Sequence, residues 1–206
     1  MTKIKICGLF RECDIDYVNE AQPDYIGFIL NFPKSHRNID PEFAKELKKN
    51  LRDGIKAVGV FVDQDPEYVI NAVQTIGLDV VQLHGNEDDR YIRKLCARFL
   101  GIPYKPQIWK AIKIRTAQDL ETARSCIADE ILLDNGYGTG KAFDWSLAGS
   151  FDREFCLAGG LDPDNIEDAI RTLRPKLVDI SSGVETDKVK DKEKILAAVN
   201  AVRKLS

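Results

Sequence analysis

Short runs rich in Val, Ile, Leu and Phe recur along the chain, and each has the length of a buried strand rather than a helix. Successive runs start 21 to 31 residues apart, which leaves room for one helix and two short loops between them. This spacing predicts the βαβ repeat of a parallel sheet. The eight predicted strands are 3–7, 25–29, 56–62, 79–84, 109–114, 130–134, 154–158 and 177–181.

The segments between these runs carry helix signals. Asp40, Asp65 and Asp162 each precede a proline and then an acidic residue, a pattern typical of an N-cap followed by proline in the first turn. We therefore expect three helices to start there. The segment 188–204 predicts a last, amphipathic helix, whose apolar face would consist of Ile195, Leu196, Val199 and Val202.

Eight strands alternating with helices in 206 residues fit either an open doubly wound sheet or a closed barrel, and periodicity does not choose between them. The count of eight favours a (β/α)8 TIM barrel. So do the glycines after the seventh and eighth strands, where such barrels commonly bind phosphate. We predict one barrel domain over residues 1–206, because the length is near the lower limit for this fold.

Composition excludes several classes of protein. Thirty Lys and Arg against 33 Asp and Glu give a net charge of -3, so we expect no nucleic-acid partner. The longest charge-free apolar stretch, from Tyr25, has about half the length of a membrane span. The first residues lack a secretory signal, and the five cysteines include no CxxC pair. These features predict a cytoplasmic protein with reduced thiols and no membrane partner.

The active site of a barrel lies at the carboxyl ends of its strands. Cys7 ends the first predicted strand beside Gly8, and Asp134 ends the sixth. Cys7 could simply fill space in the core, and Asp134 could cap its loop. Their positions favour the other interpretation, in which they form an acid and base pair across the barrel mouth.

The loops after the strands suggest how a ligand is held. The glycine-rich segment 136–140 lacks nucleotide-binding spacings, and we interpret it as a mobile lid. Four residues of two other loops favour a phosphate site, because small residues let backbone N–H groups approach an anion, and a helix starting at Asp162 would add its positive dipole end. They are Gly159, Gly160, Ser182 and Gly183.

Arg37 and the histidines complete the candidate residues. Arg37 is equally well explained as a solvated surface charge or as a fork that binds a substrate carboxylate. His36 and His84 are the only histidines, and no carboxylate cluster accompanies them. We therefore predict no metal site.

Taken in order, the sequence motifs resemble the phosphoribosylanthranilate isomerase family over essentially the whole chain. The motifs are KICGL at 5–9, SHR at 35–37, VGVFVD at 58–63, VQLHG at 81–85, LLDNGYGTGKAFDW at 132–145, LAGGLDPDNI at 157–166 and VDISSGVE at 178–185. One departure is Tyr137, which stands where many members have the first glycine of a GGTG motif.

The resemblance implies an Amadori rearrangement of a small phosphosugar substrate, without metal or organic cofactor. Asp134 would be the acid that opens the sugar ring, and Cys7 the base that removes the C2′ proton. Arg37 would hold the anthranilate carboxylate. The phosphate would be bound by the backbone of Gly159, Gly160, Ser182 and Gly183.

Two alternatives remain open at this point. A related barrel isomerase of the histidine pathway would share the phosphate loops, but such enzymes use aspartate at the end of the first strand, where this chain has Cys7. A non-catalytic phosphoribosyl-ligand binding protein would not need both Cys7 and Asp134. The sequence fits either a monomer or a homodimer.

Strand alternation makes one further prediction about the barrel interior. If Cys7 faces the mouth, Lys5 lies inside beneath it, and Asp179 faces inward on the neighbouring eighth strand. We hypothesise a buried Lys5–Asp179 ion pair. Lys5 would then lower the pKa of Cys7, unless Asp179 neutralises it fully and the pair is only structural.

Overall fold

The computed structural model describes residues 1–134 and 149–205. Strands and helices alternate through both ranges. The strands are β1 (Lys3–Cys7), β2 (Tyr25–Leu30), β3 (Asn38–Ile39), β4 (Lys56–Phe61), β5 (Val80–Leu83), β6 (Gln107–Lys113), β7 (Glu130–Asp134), β8 (Cys156–Ala158), β9 (Leu177–Ile180), β10 (Glu185–Thr186) and β11 (Val189–Lys190). The helices are α1 (Glu12–Ala21), α2 (Pro41–Lys49), α3 (Pro66–Ile76), α4 (Asp89–Phe99), α5 (Ala117–Ser125), α6 (Ile166–Leu173) and α7 (Lys192–Lys204).

The main sheet closes on itself. Its strands follow the order β1-β9-β8-β7-β6-β5-β4-β2, and β1 also pairs with β2. All of these pairings are parallel. The predicted (β/α)8 barrel is therefore confirmed, and each predicted strand overlaps one of the eight barrel strands. The additional strand β3 and the antiparallel hairpin of β10 and β11 were not predicted, because two-residue strands are too short to leave a hydrophobic pattern.

Both faces of the barrel strands are buried, which explains their nearly continuous apolar runs. Outward side chains such as Ile4 and Ile6 belong to the large core cluster beneath the helices. A second, smaller cluster fills the lower interior of the barrel, where the Tyr25 and Trp109 rings pack edge to face at 4.9 Å. Its members are Tyr25, Val58, Val80, Trp109, Ala111, Leu132, Cys156, Ala158 and Leu177. The lower half of the barrel is thus a packed core.

Two of the three predicted helix starts are confirmed, and the third is wrong. Asp40 and Asp65 accept hydrogen bonds from backbone N–H groups in the first turns of α2 and α3. Helix α6 instead begins at Ile166, because the side chain of Asp162 caps a tight turn through Asn165. An aspartate before proline favours an Asx turn as readily as a helix cap, so the sequence pattern alone misplaced this helix.

The last helix is shorter than predicted. It begins at Lys192, after Asp191 as N-cap, because Val189–Lys190 forms the second strand of the hairpin. Its predicted apolar face is buried at Ile195, Val199 and Val202, while Leu196 is half-buried. Among the helices of the described residues, none combines the length and apolar character needed to cross a membrane.

Candidate active site

A cavity of about 570 Å³ opens at the carboxyl ends of the barrel strands. Because side chains alternate along a strand, a residue near the end of each strand points into this cavity. Residues far apart in sequence therefore meet here. The cavity brings together six of the seven predicted site residues: Cys7, Arg37, Asp134, Gly159, Gly160 and Ser182. The predicted lid, 136–140, lies outside the described residues.

Gly183, the seventh predicted residue, has a packing role of its own. A Cβ atom at this position would collide with the Leu161 carbonyl and would lie 2.9 Å from Cα of Asp162. The loops after β8 and β9 can therefore approach each other only if residue 183 is glycine. This close approach places Ser182 beside Gly159 and Gly160 at the cavity wall.

Cys7 ends β1 and is buried, with 7% of its surface exposed. Gly27 makes room for its thiol, since a Cβ atom on Gly27 would lie 2.9 Å from the Cys7 sulfur. Gly8 makes room for a different side chain, since a Cβ atom there would collide with the Arg37 side chain. Gly8, whose φ is +80°, thus admits Arg37 to the site.

The predicted buried ion pair is confirmed. Lys5 Nζ donates to both carboxylate oxygens of Asp179, at 2.9 and 2.8 Å, directly beneath the cavity. Burial raises the pKa of Cys7, and the charge of Lys5 lowers it without cancelling the effect of burial. Lys5 thus lowers the pKa of Cys7 as predicted. The net pKa of the thiol is nevertheless above its ordinary value, so the expected net decrease is wrong.

Asp134 ends β7 and is held by a pair of side chains on β5. Its Oδ2 lies 3.0 Å from His84 Nε2, and His84 Nδ1 lies 3.0 Å from Gln82 Nε2. Because the Gln82 amide donates to Nδ1 in this arrangement, Nε2 carries the proton and donates to Asp134. Neither His84 nor Gln82 is among the seven predicted site residues. Alternation in VQLHG was the available signal, since it turns both side chains inward.

Arg37 is bound by a residue that the sequence analysis did not single out. Its Nε and Nη2 donate to Glu185 Oε1 and Oε2, both at 2.6 Å. Glu185 also accepts from Lys190 Nζ at 2.7 Å. The structure therefore excludes the interpretation of Arg37 as a freely solvated charge. The VDISSGVE motif contains Glu185, but no local pattern could reveal a partner 148 residues away in sequence.

The phosphate loops have the backbone form that glycine allows. Gly159 and Gly160 have φ values of +91° and +68°, in the left-handed region. The Asn165 amide donates to the Gly160 carbonyl at 2.8 Å and fixes the loop. The helix expected to start at Asp162 begins four residues later, at Ile166, so its positive dipole end lies farther along the chain from Gly160 than predicted.

Within residues 1–134 and 149–205, no group of three or more His, Cys, Asp or Glu side chains is arranged to hold a metal ion. The groups in the cavity can instead transfer protons and bind anions. Fold and site together define a (β/α)8-barrel enzyme acting on a small anionic molecule. The family model for N-(5'phosphoribosyl)anthranilate (PRA) isomerase matches residues 4–201. The chain belongs to this family.

Known relatives agree with this assignment. An N-(5'-phosphoribosyl)anthranilate isomerase of Clostridium kluyveri is 43% identical over 208 residues, covering 100% of both chains. The crystal structure of phosphoribosyl anthranilate isomerase from Thermotoga maritima superimposes with a TM-score of 0.86 at 34% identity, covering 99% of this chain and all of that one. A second structure is phosphoribosyl anthranilate isomerase in complex with reduced 1-(o-carboxyphenylamino)-1-deoxyribulose 5-phosphate. Its TM-score is 0.83 at 33% identity, and the match covers 99% of this chain and 100% of that one.

Proposed function

We propose that this chain converts N-(5'-phosphoribosyl)anthranilate to 1-(2-carboxyphenylamino)-1-deoxyribulose 5-phosphate, an Amadori rearrangement of tryptophan biosynthesis. Family membership supports the choice of substrate. One observation carries the mechanism: Cys7 and Asp134, from strands on different sides of the barrel, line a single cavity at its mouth. A general acid and a general base are what an aldose to ketose isomerisation requires.

Asp134 acts first, as the acid. Its proton goes to the furanose ring oxygen, the bond from that oxygen to C1′ breaks, and the nitrogen lone pair forms an iminium. Asp134 becomes a carboxylate at this step. His84, 3.0 Å away, stabilises that carboxylate by hydrogen bonding.

Cys7 then acts as the base. Its thiolate removes the C2′ proton, and the electron pair of that C–H bond neutralises the iminium to give an enolamine. The enolamine takes up a proton at C1′ from the Cys7 thiol and loses the proton of its C2′ hydroxyl to the Asp134 carboxylate, which gives the ketose product and restores both groups. Because burial disfavours the thiolate, the charge of Lys5 is needed to keep part of the thiol ionised.

The two charged ends of the substrate anchor it. Arg37 binds the anthranilate carboxylate through the guanidinium edge that Glu185 does not occupy. The phosphate is bound by the backbone of four loop residues, with no metal or cofactor in the mechanism. These residues are Gly159, Gly160, Ser182 and Gly183.

We further propose that the chain is a single domain over residues 1–206 that works in the cytoplasm as a monomer or a homodimer. All five cysteines are free, which supports a reducing compartment.

Loss of phosphoribosylanthranilate fluorescence tests the function. We expect turnover by the wild-type enzyme, and near-complete loss in Cys7→Ala. Cys156→Ala is the matched control, since Cys156 is a buried thiol of the lower barrel interior and should leave turnover unchanged. Binding of substrate without turnover by the wild type would identify a ligand-binding protein. Turnover of the histidine-pathway substrate alone would identify the related isomerase.

A further inference from the structure

Three charged side chains form a cluster at the edge of the cavity. Glu185 lies at its centre, with only 6% of its side chain exposed, between Arg37 and Lys190. Lys190 lies deeper than either, with its side chain fully buried. We call these three residues the Arg37 cluster.

The net charge of the Arg37 cluster determines how strongly it attracts an anion. Arg37 and Glu185 alone would be a neutral pair, and Glu185 would repel a carboxylate bound to Arg37 and so offset part of the attraction. Lys190 makes the sum +1. The nearby Lys5–Asp179 pair is neutral and does not alter this balance. His36 Nε2 lies 3.8 Å from Glu185 Oε2, and this sum holds while the His36 ring is neutral.

Burial of Lys190 indicates that its charge has a use. Burial lowers its pKa, and Glu185 opposes this effect. Replacing a whole buried ion pair with apolar side chains of similar volume is often neutral or stabilising. The buried Glu185–Lys190 pair is thus not required for packing.

The Arg37 cluster is also connected to the rest of the site. Lys190 Nζ donates to the Ser181 carbonyl at 2.8 Å, and Ser181 Oγ donates to the Cys7 carbonyl at 3.1 Å. Ser181 directly precedes Ser182 of the proposed phosphate loop. The hairpin that carries Lys190 is therefore tied to both anion-binding regions and to the strand that carries the base.

We propose that Glu185 and Lys190 are positioning and specificity-determining residues for carboxylate recognition. Glu185 fixes the orientation of the Arg37 guanidinium, and Lys190 cancels the charge of Glu185 so that the guanidinium presents a net positive charge. This inference rests on the proposed role of Arg37 as the carboxylate ligand. The hairpin of β10 and β11, which carries both residues, would thus help to select substrates whose aromatic amine bears a carboxylate.

Two probes test the proposal by calorimetric titration. One is reduced 1-(o-carboxyphenylamino)-1-deoxyribulose 5-phosphate, and the other is the same molecule without its carboxylate. The selectivity is the ratio of their dissociation constants. In the wild type the first should bind more tightly, and Arg37→Met should remove the difference. If Arg37→Met keeps it, the proposed role of Arg37 fails before Lys190 is tested.

Lys190→Met makes the Arg37 cluster neutral and should lower the selectivity by about tenfold, which corresponds to about 1.4 kcal/mol. Affinity for the probe without carboxylate should change by less than about twofold. The double variant Lys190→Met/Glu185→Gln returns the sum to +1 and should recover most of the selectivity. Lys194→Met is the matched control, because Lys194 donates to the Glu185 backbone carbonyl and not to its carboxylate.

Equal loss of both probes in Lys190→Met, or no recovery in the double variant, would overturn the proposal and leave Lys190 with a structural role only. Should Lys190→Met fail to fold, Glu185→Gln decides the question. Its cluster carries +2, and the amide oxygen of the new glutamine can still accept one hydrogen bond that orients Arg37, so the selectivity should rise above that of the wild type. A fall would overturn the assignment of Lys190 as the residue that offsets Glu185.

Discussion

Cys7 is subject to two opposing influences. Burial raises the pKa of its thiol, and Lys5 beneath it lowers that pKa. Asp179 holds Lys5 in place but itself raises the pKa of Cys7. The amount of thiolate near neutral pH therefore depends on the balance within a buried ion pair, rather than on the thiol alone.

Lys5→Met should move the acidic limb of the pH profile of kcat/KM upward, because the remaining charge of Asp179 disfavours the thiolate. The double variant Lys5→Met/Asp179→Leu removes both charges, and its limb should lie between those of the wild type and the single variant. Steady-state kinetics across the pH range, on folded protein, measures this. An unmoved limb in Lys5→Met would mean that the ion pair is only structural.

Asp134→Asn should keep the fold and reduce kcat by about 10²–10⁴-fold, since an amide has no proton to give to the ring oxygen. Asp129→Asn is a matched control at the other end of β7, where Asp129 accepts from the Ile108 backbone at 2.7 Å. It should leave kcat unchanged in the fluorescence assay. Near-normal turnover by Asp134→Asn would place the acid elsewhere.

The sequence predicted interactions that follow from a repeating pattern, and missed those that do not. Lys5 and Asp179 were paired correctly because alternation along two adjacent strands fixes which side chains face inward. Glu185 and Lys190 were missed because they belong to a hairpin whose strands have two residues each. Such short strands show no detectable hydrophobic periodicity. Gln82 and His84 were missed for a different reason. Strand alternation indicates that both side chains face inward, but it does not show that they bind each other and Asp134.

Among the elements, the loops after β8 and β9 differ most from expectation. Gly159 and Gly160 line the cavity as predicted, but α6 begins at Ile166 rather than near Asp162. The same residue types that cap helices also close turns, so composition could not separate the two structures. The proposed anion site at this edge would therefore rely on the loop backbone.

Gly160→Val should abolish competitive inhibition by inorganic phosphate, because a branched side chain at a φ of +68° distorts the loop that approaches the anion. Gly54→Val is the matched control. Gly54 also has a positive φ, of +93°, with no other atom within 4 Å of an added Cβ, so the backbone strain is similar but remote from the site. Inhibition kinetics should show phosphate competition in Gly54→Val only. Competition retained by folded Gly160→Val would move the phosphate site away from this loop.

At the level of the whole molecule, the Arg37 cluster links the site to stability in acid. Burial by itself would raise the pKa of Glu185, but hydrogen bonds from Arg37 and the charge of Lys190 lower it to about 2. The ordinary pKa of a glutamate side chain is 4.5. Between about pH 2 and pH 4.5, Glu185 is therefore mostly protonated in the unfolded chain but ionised in the folded one. The stabilisation is full above the ordinary pKa and is lost as pH falls toward 2.

Glu185→Gln should therefore flatten the fall in the free energy of unfolding between pH 5 and pH 3. The full linkage contribution of Glu185 is about 3 kcal/mol, of which part is lost over this interval. Urea denaturation at the two pH values measures the change, with Glu154→Gln as the control because that side chain is 81% exposed. Equal pH dependence in Glu185→Gln and the wild type would contradict this assignment.

Pairing of β1 with β9 has a consequence for how the protein is made. Lys5 on β1 and Asp179 on β9 are 174 residues apart along the chain. The two strands can therefore pair only after nearly the whole sequence has left the ribosome. Until then β1 has one unpaired edge, and Lys5 has no counter-ion. Cys7, the proposed base, consequently gains the ion pair beneath it only when the ring closes, and an unfinished chain has the thiol without that pair.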